Sequence, residues 1–379
     1  MRYMGRWTRC VLFLAVMTAL LLSQTLWPLL IGAALGQGTD NGASRTVAPV
    51  DAVCGPELQQ LCSGVQRGQG RLIECLGGHT EGLSPVCKTF VMQALLGCVP
   101  EQGRNIQCVK PFDTDPGIKR FDRVNYVLFN QATASTANLL VFLPGTGGKP
   151  PGPRGFLRAA ADAGYRVISL DYNDEPAVNV YCAKKSTTCS ANFRRMRIFG
   201  EGISIDASLD NSSAESIVNG LVRLLAYLDG KEPQQGWAGY LDNGAPNWRR
   251  IVLAGQSQGA GMAAFIAKTK FVARVILFSS PWDFFAPPGK PRVLALWLAK
   301  PAVTPPERWF GGYHQREIEA DLLAKSYAAL RIPSQNIRVF TGALQPLQSG
   351  TKDDNPFHGE GLSNPAYQQD RAFFLGRSP

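Results

Sequence analysis

From residue 124 onward the apolar residues fall into short runs, each bounded by glycine, proline or polar residues. The runs at 124–129, 138–143, 165–170, 251–254, 274–280 and 336–341 have the length of strands. The second is apolar through 139–143, as a strand buried on both faces of a parallel sheet must be. Helical spacing lies between the runs. Residues 156–163 form one helix, stopped by Gly164. Ile217, Leu221, Leu224, Leu225 and Leu228 share a face of another, opened by a Ser212/Glu215 capping box and stopped by Gly230. Residues 262–268 and 317–330 give two more. The expected architecture is α/β: a mostly parallel sheet flanked by helices.

Before residue 124 the pattern changes. Arg2, Arg6 and Arg9 precede an apolar stretch over 10–22 that continues to Ile31, and small residues follow up to Gly36. This predicts a signal peptide over 1–36, cleaved before Gln37, and export to the periplasm or beyond the cell. An uncleaved anchor helix is the alternative, and the only expected route to membrane contact. Residues 37–50 read as a flexible leader. With Cys10 removed, eight cysteines remain: Cys54, Cys62, Cys75, Cys87, Cys98, Cys108, Cys182 and Cys189. An even number in an exported chain reads as disulfides. Six of them define a cysteine-rich helical module over 51–110, with their pairing open. Cys182 and Cys189 can close a small loop of their own. No C-x-x-C pair occurs, and only His79 lies nearby, so neither metal nor cofactor is expected. The catalytic domain spans 111–379.

Candidate chemistry centres on Gly255-Gln256-Ser257-Gln258-Gly259, which sits between the 251–254 strand and a small-residue helix start. A strand, G-x-S-x-G and a helix together make a nucleophile elbow. The turn lifts the serine above the sheet edge, and glycines flank it because strand and helix pass too close for a Cβ. On these residues the chain resembles the serine esterases of the α/β-hydrolase superfamily, over about residues 120–365. The resemblance implies the α/β-hydrolase fold and a Ser–acid–His order along the chain. It also implies an oxyanion hole from Gln258 and from the loop after the third strand, at Thr146 or Gly147. The module resembles the cysteine-rich repeat of Golgi-type glycoproteins in Cys54, Gly68-x-Gly70-Arg71 and Leu83-Ser84-x-x-Cys87. That likeness implies an extracytoplasmic interaction module and leaves its ligand open.

A serine nucleophile needs a histidine base oriented by a carboxylate. Of three histidines, His79 belongs to the module, so the base is His358 or His314. His358 follows the last strand and is preferred; His314 is the alternative base or a pocket residue. Asp283, just past the 274–280 strand, is the expected acid, with Asp353 and Asp354 as alternatives. Asp171 ends a strand but precedes the nucleophile, against the expected order. Arg194, Arg195 and Arg197 read as solvated surface or as a face for an acidic ligand. Trp237, Tyr240 and Trp248 read as a polymer-binding surface or as core.

Net charge is +10, which favours acidic surfaces or polymers as partners. No dense Lys/Arg run with interleaved aromatics appears, so nucleic acid is not an expected partner. The expected activity is hydrolysis of a small-molecule or polymeric carboxylic ester through an acyl-enzyme. A serine peptidase, an acyltransferase and a non-catalytic envelope-binding protein are the alternatives, the last placing an envelope or extracellular ligand on the module.

Overall fold

The computed structural model describes residues 50–65, 71–201, 209, 212–343 and 355–377. The expected signal segment, almost all of the leader, and Asp353 and Asp354 lie outside the described residues. Among the described residues no helix is long and apolar enough to cross a membrane.

The module comprises α1 (Val50–Leu61), α2 (Arg71–Gly77) and α3 (Pro85–Leu96). Cys54–Cys87 ties α1 to α3, and Cys62–Cys75 ties the end of α1 to α2. Leu58, Leu76, Leu83 and Val91 fill the space between them. So few apolar residues make a marginal core, and cross-linking the unfolded chain compensates for it. Ser84 caps α3 by accepting from the Cys87 N–H. A third disulfide, Cys98–Cys108, carries the module into the sheet. Its second cysteine sits in β1 (Arg104–Val109), a sheet strand that falls inside the sequence range of the module.

Seven further strands complete one sheet: β2 (Asn125–Asn130), β3 (Leu139–Leu143), β4 (Arg166–Ser169), β5 (Ile251–Gln256), β6 (Arg274–Phe278), β7 (Trp309–His314) and β8 (Ile337–Phe340). Their order is β1-β2-β4-β3-β5-β6-β7-β8. The β1–β2 and β2–β4 pairs are antiparallel, and every other pair is parallel. The helices α4 (Arg154–Asp162), α5 (Cys189–Phe199), α6 (Ile217–Lys231), α7 (Gln258–Thr269), α8 (Ala320–Ala329) and α9 (Gln368–Phe374) cover the sheet. Val141, Leu253 and Leu277 face one apolar cluster with α6 and α7, while Leu140, Val252 and Ile276 face another with α4 and α9. Burial on both faces explains the unbroken apolar runs. The chain thus has the mostly parallel sheet and flanking helices of the α/β-hydrolase fold.

Some expectations need correction. Helix α6 starts at Ile217, not after Ser212. Its cap is Ser216, which accepts from the Asn219 N–H. Glu215 instead accepts from the N–H groups of Lys119 and Arg120, outside the helix. Trp237 and Tyr240 are fully buried; Trp237 packs under the buried Arg166 guanidinium, 3.6 Å away, so neither forms a polymer surface. Arg194 and Arg197 are likewise buried. Strand β7 has no counterpart among the apolar runs. Gly311 and Gly312 interrupt its pattern, yet both are needed there: a Cβ on Gly311 would lie 2.5 Å from the Tyr327 ring, and one on Gly312 2.8 Å from the Phe340 ring.

Candidate active site

Ser257 stands at the carboxyl end of β5, at the central switch between strands and helices, with φ 53° and ψ −126°. A serine in this region is strained by roughly 1–3 kcal/mol, and only the surrounding structure holds it there. Its N–H donates to the Phe278 carbonyl at 2.9 Å, tying the elbow to β6. The flanking glycines are steric necessities. A Cβ on Gly259 would sit 2.0 Å from the Leu143 carbonyl oxygen, and one on Gly255 2.6 Å from the Ala260 nitrogen. Helix α7 begins at Gln258, so its first N–H groups and positive dipole end converge beside the Ser257 side chain.

A small pocket over the elbow is lined by Thr146, Val178, Ser257, Gln258, Ser280 and Trp282. Thr146 lies in the Gly145–Gly148 turn after β3, closed by the Gly148 N–H on the Gly145 carbonyl. Gly147, with φ 70°, forms the exposed apex of that turn. The Gln258 side chain is buried and fully used: its Oε1 accepts from the Val178 N–H at 2.6 Å, and its Nε2 donates to the Asp174 carbonyl at 2.6 Å. One side chain therefore fixes the opposite pocket wall against the start of α7.

His358 lies on the loop after β8. Its backbone carbonyl accepts from Gln256 Nε2, one residue before Ser257, at 3.4 Å. Its ring packs 5.0 Å from that of Trp282. Its Nδ1 is 2.7 Å from Glu317 Oε2. Glu317, three residues past β7, is buried, and its other oxygen accepts from Ser279 Oγ at 2.7 Å and from the His314 N–H at 2.9 Å. The carboxylate is thus held from three sides, which orients the imidazole and fixes the proton on Nδ1.

Asp283 is not the partner of His358. It is buried, and Arg194 grips it in a fork, Nε at 2.8 Å and Nη2 at 2.5 Å, while Trp297 Nε1 donates to it at 2.8 Å. Arg194 also donates to the Gln258 carbonyl at 3.3 Å, so this ion pair braces the first turn of α7. A carboxylate committed to a guanidinium and an indole has no geometry left for an imidazole. His314 is fully buried. Its Nδ1 accepts from the Arg316 N–H, its Nε2 meets the Gly342 carbonyl at 2.9 Å, and its ring stacks on Phe357. Both ring nitrogens are used structurally. Asp171 pairs with Arg123, and burial pushes its carboxyl up to about 7. Sequence reasoning missed Glu317 because it missed β7. The available signal was Trp309-Phe-Gly-Gly-Tyr-His314 followed three residues on by a glutamate.

Among the described residues no group of acidic, cysteine and histidine side chains is placed to hold a metal.

No family model matches the chain, and no curated protein matches it. Solved structures do. A bacterial heroin esterase is 14% identical, with 85% of this chain and 95% of that one covered at a TM-score of 0.42. Esterase B from Lactobacillus rhamnosis, inhibited by a tributyrin phosphonate, is 13% identical, with 80% and 94% covered at 0.42. A hyperthermophilic esterase from Pyrobaculum calidifontis is 13% identical, with 85% and 96% covered at 0.38.

Proposed function

We propose that the protein is an exported serine hydrolase that cleaves a carboxylic ester through Ser257, His358 and Glu317. The observation that carries this reading is the strained Ser257 backbone between β5 and α7. Strain of this kind persists where a side chain must be presented to a ligand. Ser257 Oγ attacks the ester carbonyl as its proton passes to His358 Nε2. The tetrahedral oxyanion forms against the N–H groups of Gln258 and Thr146, which line one pocket with the nucleophile. Collapse expels the alcohol, which takes the proton from His358. Water, deprotonated in turn by His358, then releases the acid and restores Ser257. Glu317 accepts from His358 Nδ1 and stabilises the imidazolium. Four disulfides fit an oxidising, extracytoplasmic compartment.

The test is hydrolysis of a chain-length series of p-nitrophenyl esters by the oxidised chain, beside Ser257→Ala and His358→Ala. Loss of turnover by about 10⁴-fold or more in both supports the reading. Equal turnover in wild type and Ser257→Ala, or labelling by a serine-directed phosphonate that survives Ser257→Ala, contradicts it.

A further inference from the structure

Away from Ser257, and sharing no lining residue with the pocket over it, lies a cavity of about 860 Å³. That size is within the roughly 300–1,000 Å³ usual for small-molecule sites. We infer that this cavity, between the cysteine-rich module and the hydrolase sheet, binds an organic anion: a carboxylate or phosphate monoester carried on an apolar body.

The charge of the lining points there. Lys110, Arg123, Lys149 and Arg154 line the cavity, and Asp122 is the single carboxylate among the described lining residues. These cations are not equivalent. Arg123 is committed inward, with Nε 2.8 Å from Asp171, Nη2 3.0 Å from Asp174 and Nη1 3.1 Å from the Gly148 carbonyl. Lys110 lies 3.8 Å from Asp122. Lys149 and Arg154 differ: among the described residues no carboxylate lies within 4 Å of either. Two cations without a carboxylate partner among the described residues thus flank a concave space, where the field on an anion exceeds that of a flat surface. The Arg154 guanidinium offers a planar fork for two oxyanion oxygens, and Lys149 adds a mobile point charge.

The walls accept an apolar body. Pro150 and Pro151 form one side, and Leu95 from α3 forms another. Leu95 is 47% exposed, apolar surface that a ligand would cover. The module also shapes the anion end. Gly97, at the end of α3, lies so close to Arg154 and Pro151 that a Cβ there would meet the Arg154 Nη2 at 2.3 Å. On this inference the module is a wall of a ligand site.

The test is calorimetric titration of the full oxidised chain with phenyl phosphate, benzoate and, as the neutral analogue, benzyl alcohol. Neither anion needs to be hydrolysed, so the result is independent of the esterase reading. At least one anion is expected to bind, benzyl alcohol is not, and the affinity falls with added salt. The preference between the anions tells phosphate from carboxylate. Lys149→Glu with Arg154→Gln is expected to weaken binding by about tenfold or more, while turnover of p-nitrophenyl acetate stays unchanged. Lys149→Glu alone, at an exposed position, repeats the test without touching the contact with Gly97. Equal binding of benzyl alcohol, unchanged affinity in both variants, or no binding of either anion at millimolar concentration overturns the inference.

Discussion

Two buried carboxylates stand just past neighbouring strands, Asp283 after β6 and Glu317 after β7. Asp283 meets a guanidinium that is itself fully buried, whereas Glu317 meets an imidazole whose side chain is 21% exposed. The first pair is closed, with both charges withdrawn from water and every oxygen used. The second opens at one end, where the partly exposed His358 ring lies 5.0 Å from that of Trp282, a lining residue of the pocket over Ser257. Position after a strand makes both residues candidates for the same role; the chemical partner separates them. A guanidinium keeps its proton, so the Arg194–Asp283 pair can only brace. An imidazole exchanges its proton, so the His358–Glu317 pair can do work.

Breaking the closed pair should give the largest loss of stability. Arg194→Met leaves Asp283 buried and unpaired, an expected cost of about 3–5 kcal/mol read from the urea midpoint. A loss below about 1 kcal/mol would mean the pair is solvated. Gln258→Ala removes two buried hydrogen bonds to the Asp174–Val178 wall. About 1–3 kcal/mol should be lost, together with a higher KM as the pocket wall slackens; an unchanged KM would detach that wall from substrate. His314→Phe keeps the stack on Phe357 and removes only structural hydrogen bonds. It should cost about 1–2 kcal/mol with kcat nearly intact; a collapse of kcat without unfolding would return His314 to the chemistry.

The pH dependence sharpens the same contrast through a third carboxylate. Burial raises Asp171 from 3.8 to about 7. Between those values the folded chain holds a proton that the unfolded chain has released. Its contribution to stability therefore falls as pH rises from about 4 to about 7, and is level above. Asp171→Asn cannot ionise, so the stability difference between wild type and this variant should shift against wild type over that range. A difference independent of pH would contradict a raised carboxyl.

Much of this was legible in the chain. The central strands announced themselves because burial on both faces forces continuous apolar residues, and the elbow because three constraints converge on five residues. What stayed hidden was non-local. Strand β7 carries two glycines to admit the Tyr327 and Phe340 rings, and those rings come from other elements. With β7 unseen, the strand count slipped by one, and the acid was sought at Asp283 before Glu317 and, as alternatives, at Asp353 and Asp354 beyond it. Arg194 reads as surface because its partner lies 89 residues away. Strand β1 was absorbed into the cysteine-rich range, since its Cys108 looks like one more cysteine of the module.

The most direct test sets Glu317→Gln beside Asp283→Asn and measures both kcat on a p-nitrophenyl ester and the urea midpoint. Glu317→Gln should lower kcat by about 10²–10⁴-fold with a folded chain, while Asp283→Asn should lower the midpoint and leave the kcat of the remaining folded protein within about tenfold of wild type. A folded Glu317→Gln variant with wild-type kcat, or an Asp283→Asn variant that is stable and inactive, would contradict the assignment of Glu317 as the acid.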